Sequence, residues 1–350
     1  MEVKQYGFDS LLHQNLDMSK FVDLSVLSGP TLMSWDVTNR CNFSCLHCLN
    51  NSAESKIHTF EDELSEEESM RLVDQVIDLK PINICLCGGE PLLRKDLSRI
   101  IKRLSDAGII VSAVSNGFLL DEKRALELKE AGLEFIQISL DGINAETHDT
   151  FRNTPGSFDR AFNALEILTK VKIRTAASFA PNRMSINDFP NYVDMMVEAG
   201  IPQIRMMPLL PMGRGLNNFD RLEPTKEEYL NFYITIKEKS FQYAGKIDIE
   251  WGDPLEHMYI PLTSERKETV MMEVRANGDV GISIYLPLIV GNVRKHTLRE
   301  YWEGGYDKIW GHPKVIQLAS AIRSVHDFKN MQLKTWNDEH IKIDLLDDIR

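Results

Sequence analysis

Three cysteines crowd into Thr38-Asn39-Arg40-Cys41-Asn42-Phe43-Ser44-Cys45-Leu46-His47-Cys48. Thiolates at C-x3-C-x2-C spacing on one loop can reach three corners of a cuboidal iron–sulfur cluster, whereas a zinc site usually recruits a second ligand pair from elsewhere. The two remaining cysteines, Cys85 and Cys87, stand at i and i+2 of an expected strand. They read as small buried residues, because free cysteine packs well in cores. Three protein ligands leave a fourth iron open to an exogenous molecule with hard donors; a purely electron-transferring ferredoxin fills all four positions. With five cysteines, none after residue 87, the chain has no disulfide framework and suits a reducing, cytoplasmic compartment. A second chemical element follows at Cys87-Gly88-Gly89-Glu90-Pro91. Glycines there let backbone carbonyls come close to a ligand, and the carboxylate can face an ammonium group.

These residues need elements to position them. Short apolar runs at 32–37, 82–87, 109–115, 135–140, 173–179 and 203–207 read as strands. Leu97, Ile100, Ile101 and Leu104 form one helix stripe between two of them, and Ser65-Glu66-Glu67-Glu68 has the form of a capping box for a helix running to about Leu79. Asp106-Ala107-Gly108, Glu130-Ala131-Gly132 and Glu198-Ala199-Gly200 each put a glycine where a helix stops and a strand begins. Repeated helix–glycine–strand junctions imply parallel strands joined by right-handed crossovers. The expected architecture is therefore α/β, a parallel sheet or partial barrel with its site at the C-terminal ends of the strands. After Gly245 the pattern changes: strands are expected at 246–251 and across 270–285, the latter folded at Ala276-Asn277-Gly278-Asp279, then a short helix at 297–302. We divide the chain into an N-terminal extension (1–30), the barrel (31–245) and a C-terminal extension (246–350).

The 350 residues, 43% hydrophobic and 26% charged, describe an ordinary globular protein able to bury a core. No apolar run reaches membrane-spanning length, and the first residues have no secretory pattern, so no membrane partner is expected. Acids outnumber bases 52 to 40, a net charge of −12, which argues against nucleic acid and suits a basic peptide. The basic residues Arg94, Lys95, Arg99, Lys102 and Arg103 read as a solvated helix face.

The cysteine loop after the first strand, followed one strand later by Gly88-Gly89-Glu90, resembles the radical SAM superfamily. Ser115-Asn116-Gly117 and Ser139-Leu140-Asp141-Gly142 at the next strand ends match in order, as do His148-Asp149-x-x-Arg152 and Gly156-Ser157-Phe158-Asp159-Arg160. The resemblance implies a partial (β/α)6 barrel with one 4Fe–4S cluster on Cys41, Cys45 and Cys48, and S-adenosylmethionine as cofactor. It places the methionine amino group at Gly88, Gly89 and Glu90, with Asn116 and Ser139 toward the cofactor and His47 beside the adenine. Met207 and Pro208 would pass the adenine from the sixth strand. Either Arg152 or Arg160 would pair with the cofactor carboxylate; each reads equally as a structural ion pair.

The implied activity is reductive cleavage of the cofactor and hydrogen abstraction from carbon, supplied with electrons by a donor such as flavodoxin or ferredoxin. Arg275–Val280, Gly291-Asn292-Val293 and Thr297–Trp302 resemble a SPASM domain stripped of its cysteines, with Ser283 near where one is expected. That tail points to a peptide or peptide-like substrate. A small molecule (sugar, nucleoside or amino acid) is the alternative, and a non-enzymatic zinc or redox scaffold is a third reading. Epimerisation needs a hydrogen donor, and the burial expected for Cys85 and Cys87 counts against it.

Overall fold

The computed structural model describes residues 28–53, 62–263, 269–330 and 341–347. Most of the expected N-terminal extension lies outside these residues. Six parallel strands follow one another in chain order: β1 (Leu32–Thr38), β2 (Asn83–Gly88), β3 (Ile110–Ser115), β4 (Leu133–Ser139), β5 (Arg174–Phe179) and β6 (Gln203–Met206). Helices α1 (Glu66–Leu79), α2 (Leu97–Asp106), α3 (Glu122–Glu130), α4 (Ala145–Arg152), α5 (Ser157–Val171) and α6 (Phe189–Glu198) fill the connections, and α7 (Arg214–Leu222) follows β6. This is the partial (β/α)6 barrel expected from the sequence.

Local chemistry sets the element ends. Ser65 Oγ accepts from Glu68 N while Glu68 Oε2 accepts from Ser65 N, closing the capping box of α1. Gly108, Gly132 and Gly200 have φ of +82°, +95° and +70°, the left-handed geometry that ends α2, α3 and α6. Of the basic residues of the second crossover, Lys95, Arg99, Lys102 and Arg103 are exposed as expected, whereas Arg94 is drawn into the fold. Arg94 bonds Asp96 and the Val37 carbonyl, and Arg99 and Arg103 reach Glu66 and Asp74 on α1.

Alternation along the strands separates two faces. Met33, Trp35 and Val37, then Ile84 and Leu86, Val111 and Ala113, and Ile136 and Ile138 pack outward. They join Leu72, Val76, Ile100, Leu104, Leu165 and Leu168 of the helices in one core. Each such side chain contributes about 1.5–3 kcal/mol on burial. The opposite face, toward the barrel lumen, is polar. Strand register aligns Ser34 and Asp36 of β1 with Cys85 and Cys87 of β2, and Ser139 of β4 with Ser178 of β5 and Arg205 of β6. Cys85 and Cys87 are only half-buried on this lumen face. The expectation that they are core residues is corrected: Ile84 and Leu86 take the core positions, and period-two alternation turns the cysteines inward to the lumen.

One sheet runs through both sides of residue 245. β7 (Asp248–Trp251) adds parallel to β6, while β8 (Met271–Val274) adds parallel to β1 at the other side. β8 then turns through residues 275–278 into antiparallel β9 (Asp279–Gly281), followed by β10 (Leu288–Asn292) and β11 (Ile341–Lys342). Helices α8 (Lys226–Gln242) and α9 (Glu256–Thr263) flank β7, and α10 (Leu298–Glu303) follows β10. The last of these docks on α1: Leu298 N donates to Gln75 Oε1, and Arg299 pairs with Asp78. Its Tyr301 ring lies over Gly291, where a Cβ would fall 2.2 Å from Tyr301 Cζ, and Tyr301 Oη accepts from Asn292 N at 2.9 Å. Gly291→Ala must therefore push this ring aside. We expect a loss of about 1–3 kcal/mol in chemical denaturation, with iron uptake at the cysteine loop retained.

Candidate active site

The cysteine loop begins where β1 ends and has little regular structure of its own, so its shape is imposed by neighbours. The turn 88–90 at the end of β2 docks on it through the backbone: Gly89 N donates to Thr38 O at 2.7 Å and Glu90 N to Arg40 O at 2.9 Å. Both glycines are required by this approach. A Cβ on Gly88, whose φ is +114°, would meet Thr38 O at 2.4 Å, and one on Gly89 would meet Arg40 O at 2.1 Å. The Glu90 carboxylate turns into the fold. It is fully buried, with Oε1 accepting from Leu92 N and Ser115 Oγ and Oε2 from Asn116 N. Three donors inside the fold outcompete solvent, although burial raises its pKa.

The far side of the loop rests on α4 and α7. Asp141, just past β4, is fully buried and takes Arg152 through Nε at 2.6 Å and Ala180 N at 2.9 Å. Arg152 Nη1 in turn points at Cys45 Sγ, 3.8 Å away. Burial alone would raise the Asp141 pKa, but Arg152 and the other neighbours outweigh it and hold the carboxylate ionised. His148 Nδ1 accepts from Asp141 N at 3.0 Å; burial lowers its pKa to about 4, so the ring stays neutral. On α7, Arg214 Nε donates to Cys45 O and Nη1 to Ser52 O, Arg214 N donates to Cys48 O, and Asn218 Nδ2 reaches Leu46 O. Gly213 allows this contact: a Cβ there would lie 2.5 Å from both Cys48 O and Leu49 O.

The remaining sequence-derived residues divide into two groups. Asn116 ties β3 to the cysteine loop through Nδ2 to Asn42 Oδ1 at 2.8 Å, and Ser139 is buried at the end of β4. His47 stacks on Phe151 with centroids 4.0 Å apart and planes within 5°, so one ring face is already occupied; burial lowers its pKa to about 3. Arg152 is the buried structural partner of Asp141, one of the two readings left open above. Arg160, by contrast, is exposed on α5 with its guanidinium 5.6 Å above the Phe118 ring. Met207 Sδ accepts from Tyr285 Oη at 3.1 Å, and Pro208 lines a cavity of about 270 Å³ with Tyr229, Trp251 and Asp253. Sequence reasoning missed Arg214 and the Asp36–Arg275–Glu273 group of the lumen. Their only signal was charge at a strand end, which does not show what the charge meets.

The donor set suits a cluster better than a single ion. Tetrahedral zinc draws thiolates at about 2.3 Å from the metal to under about 4 Å from one another. Among the described residues, only His296, Asp344 and Asp347 bring three such ligand atoms within 4.8 Å of one another; the three cysteines do not. Burial pushes the Cys41 thiol up to about 12 and Cys45 also upward, so iron must displace protons to bind here.

Asp141→Asn leaves the Arg152 guanidinium buried without its counter-charge, and we expect a loss of about 3–5 kcal/mol in denaturant melts. A second expectation concerns acid. The His148 pKa is lowered in the fold, so below about pH 6.5 the unfolded chain takes up a proton that the folded ring refuses. Stability should fall by about 1.4 kcal/mol per pH unit from this group down to about pH 4, a slope that His148→Asn removes in pH-dependent urea melts.

Comparison with known proteins agrees with this geometry. Residues 35–196 match the Radical SAM superfamily model. An Fe-coproporphyrin III synthase of Methanosarcina barkeri is 38% identical over 300 residues, covering 79% of this chain and 74% of the relative. An AdoMet-dependent heme synthase of that organism is 29% identical over 80% of this chain and 84% of its own. A PqqA peptide cyclase of Granulibacter bethesdensis is 24% identical over 66% of this chain and 61% of the relative. Among solved structures, Streptococcus suis SuiB bound to precursor peptide SuiA superposes with a TM-score of 0.60 at 15% identity, over 93% of this chain and 74% of SuiB. The cysteine loop, the glycine turn docked on it and the parallel barrel around them make this chain a member of the radical SAM superfamily, an enzyme class that uses a 4Fe–4S cluster and S-adenosylmethionine.

Proposed function

We propose that this enzyme removes a hydrogen atom from a carbon of a peptide or peptide-like substrate admitted at the C-terminal mouth of the barrel. When bound, the cluster and S-adenosylmethionine supply the abstracting 5′-deoxyadenosyl radical by reductive cleavage. Cys41, Cys45 and Cys48 would hold the cluster. The backbone of the turn 88–90 fixes the loop beside it, and Arg152 sets a positive charge against Cys45. An external one-electron donor such as flavodoxin or ferredoxin completes the reaction.

The observation that carries the substrate class is the charge balance of the lumen. Arg205 faces Glu250 at 3.6 Å, while Arg275 lies 3.4 Å from Asp36 and 3.0 Å from Glu273. Three carboxylates against two guanidinia leave no surplus cation among these described residues. A neutral or basic peptide segment suits such a chamber, as it suits the net charge of −12. A small molecule remains the second reading, and the 38% identity to an Fe-coproporphyrin III synthase makes an iron tetrapyrrole its specific form. A tetrapyrrole bearing several carboxylates calls for surplus cations, and the Arg205 and Arg275 guanidinia of the described lumen already face carboxylates.

The two readings separate in one assay. Reduced holoenzyme is incubated with S-adenosylmethionine and either deuterated peptides encoded by short reading frames beside its gene or deuterated iron tetrapyrroles, both iron coproporphyrin III and the more highly substituted precursors from which a synthase would form it. Deuterium transferred to 5′-deoxyadenosine from a peptide is the expected result. Transfer from the tetrapyrrole alone overturns the peptide reading.

A further inference from the structure

Two thiols outside the cysteine loop face the lumen. Cys85 and Cys87 are half-buried on β2, and Cys87 directly precedes the turn 88–90. Cys87 Sγ donates to Asp36 Oδ1 at 3.4 Å, and Asp36 continues through Arg275 to Glu273 across β1 and β8. A second observation marks the same chamber as a place for a polar guest. Ser34, 8% exposed, stands level with Cys85 on one side and Glu273 on the other, and its Oγ has no hydrogen-bond partner. Glu273 beside it is fully buried and is held in the ion pair with Arg275, so Ser34 Oγ is the group of this strand row left for a guest.

We propose that Cys87 is a hydrogen-atom donor of the active site, its S–H group quenching a carbon-centred radical formed beside the turn 88–90. The donor role rests on the reading that radicals are generated here. In the step, the S–H bond breaks homolytically, a C–H bond forms and an unpaired electron stays on Cys87 Sγ. One electron from the low-potential reductant that already drives cofactor cleavage, and one proton, restore the thiol. The hydrogen bond that Cys87 donates to Cys85, burial and the Asp36 carboxylate all raise the Cys87 pKa, so the group is kept as the thiol the step requires. Asp36 acts through Cys87 as a positioning residue. A substrate carbon that loses hydrogen on one face and regains it from Cys87 on the other changes configuration without changing composition. Redox-neutral inversion within a peptide thus becomes the reaction class that this lumen supports.

The test needs no identified substrate. Reconstituted full-length enzyme, free of added thiols, is given S-adenosylmethionine and dithionite in deuterated buffer, and the 5′-deoxyadenosine formed is read by mass spectrometry. Exchange converts Cys87 to S–D, so most wild-type product should carry one solvent deuterium. The labelled fraction should fall at least tenfold in Cys87→Ser and persist in Cys85→Ser. It is counted per product molecule, so slow turnover cannot imitate the loss. Protium-only product from the wild type, or labelling unchanged in Cys87→Ser, overturns the donor role while leaving the radical chemistry standing. No 5′-deoxyadenosine at all from the wild type overturns the preceding functional reading, and this one with it. In the metal-free protein, the infrared S–H band that disappears in Cys87→Ser should shift in Asp36→Asn; an unshifted band overturns the Asp36 contact.

Discussion

The cysteine loop cannot hold its own shape, and the rest of the site depends on how its backbone is gripped from outside. Residues 39–53 contribute few hydrogen bonds to one another, so their carbonyls find donors elsewhere. Thr38 O and Arg40 O take the amides of Gly89 and Glu90; Cys45 O and Cys48 O take Arg214, and Leu46 O takes Asn218. Each charged or buried bond of this kind is worth about 1–3 kcal/mol, and leaving such a carbonyl unpaired costs as much. The spacing of the sulfurs is therefore a tertiary property, fixed by β2 on one side and α7 on the other.

This arrangement explains why the glycine turn serves the loop before it serves any ligand. Gly88 and Gly89 give up side chains so that two chain segments can touch, and Glu90 turns inward to lock β2 to β3 through Ser115 and Asn116. The Asp141–Arg152 pair does the equivalent from α4, and Arg152 brings a positive charge to 3.8 Å from Cys45 Sγ. A buried pair of this kind adds little net stability but is expensive to break, which suits a device for orientation.

Strand alternation connects the core to the chemistry. The residues that bury Ile84 and Leu86 under the helices are the reason Cys85 and Cys87 face the lumen, and the same rule sets Asp36 opposite Cys87. The C-terminal residues then complete the chamber: β8 places Glu273 level with Ser34, and β7 places Glu250 level with Arg205. A polar interior in which each of these guanidinia meets a carboxylate results from strands far apart in sequence.

Much of this was legible in the chain itself. Hydrophobic runs, glycine helix stops and a capping box are local signals, and they located all six barrel strands and the helix from Ser65 to Leu79 with bounds close to those observed. The C-x3-C-x2-C spacing and the Gly-Gly-Glu turn are equally local, so the cluster chemistry and the family followed from them. What each side chain meets is different in kind. The inward turn of Glu90, the commitment of Arg152 to Asp141, the stacking of His47 on Phe151 and the lumen position of Cys87 all depend on partners that packing brings together, such as Ser115, 25 residues from Glu90, and Asp36, 51 residues from Cys87. Residue types and spacing determined which chemistry the chain can host; only packing of distant strands decided which groups are spent on structure and which are left facing the reaction chamber.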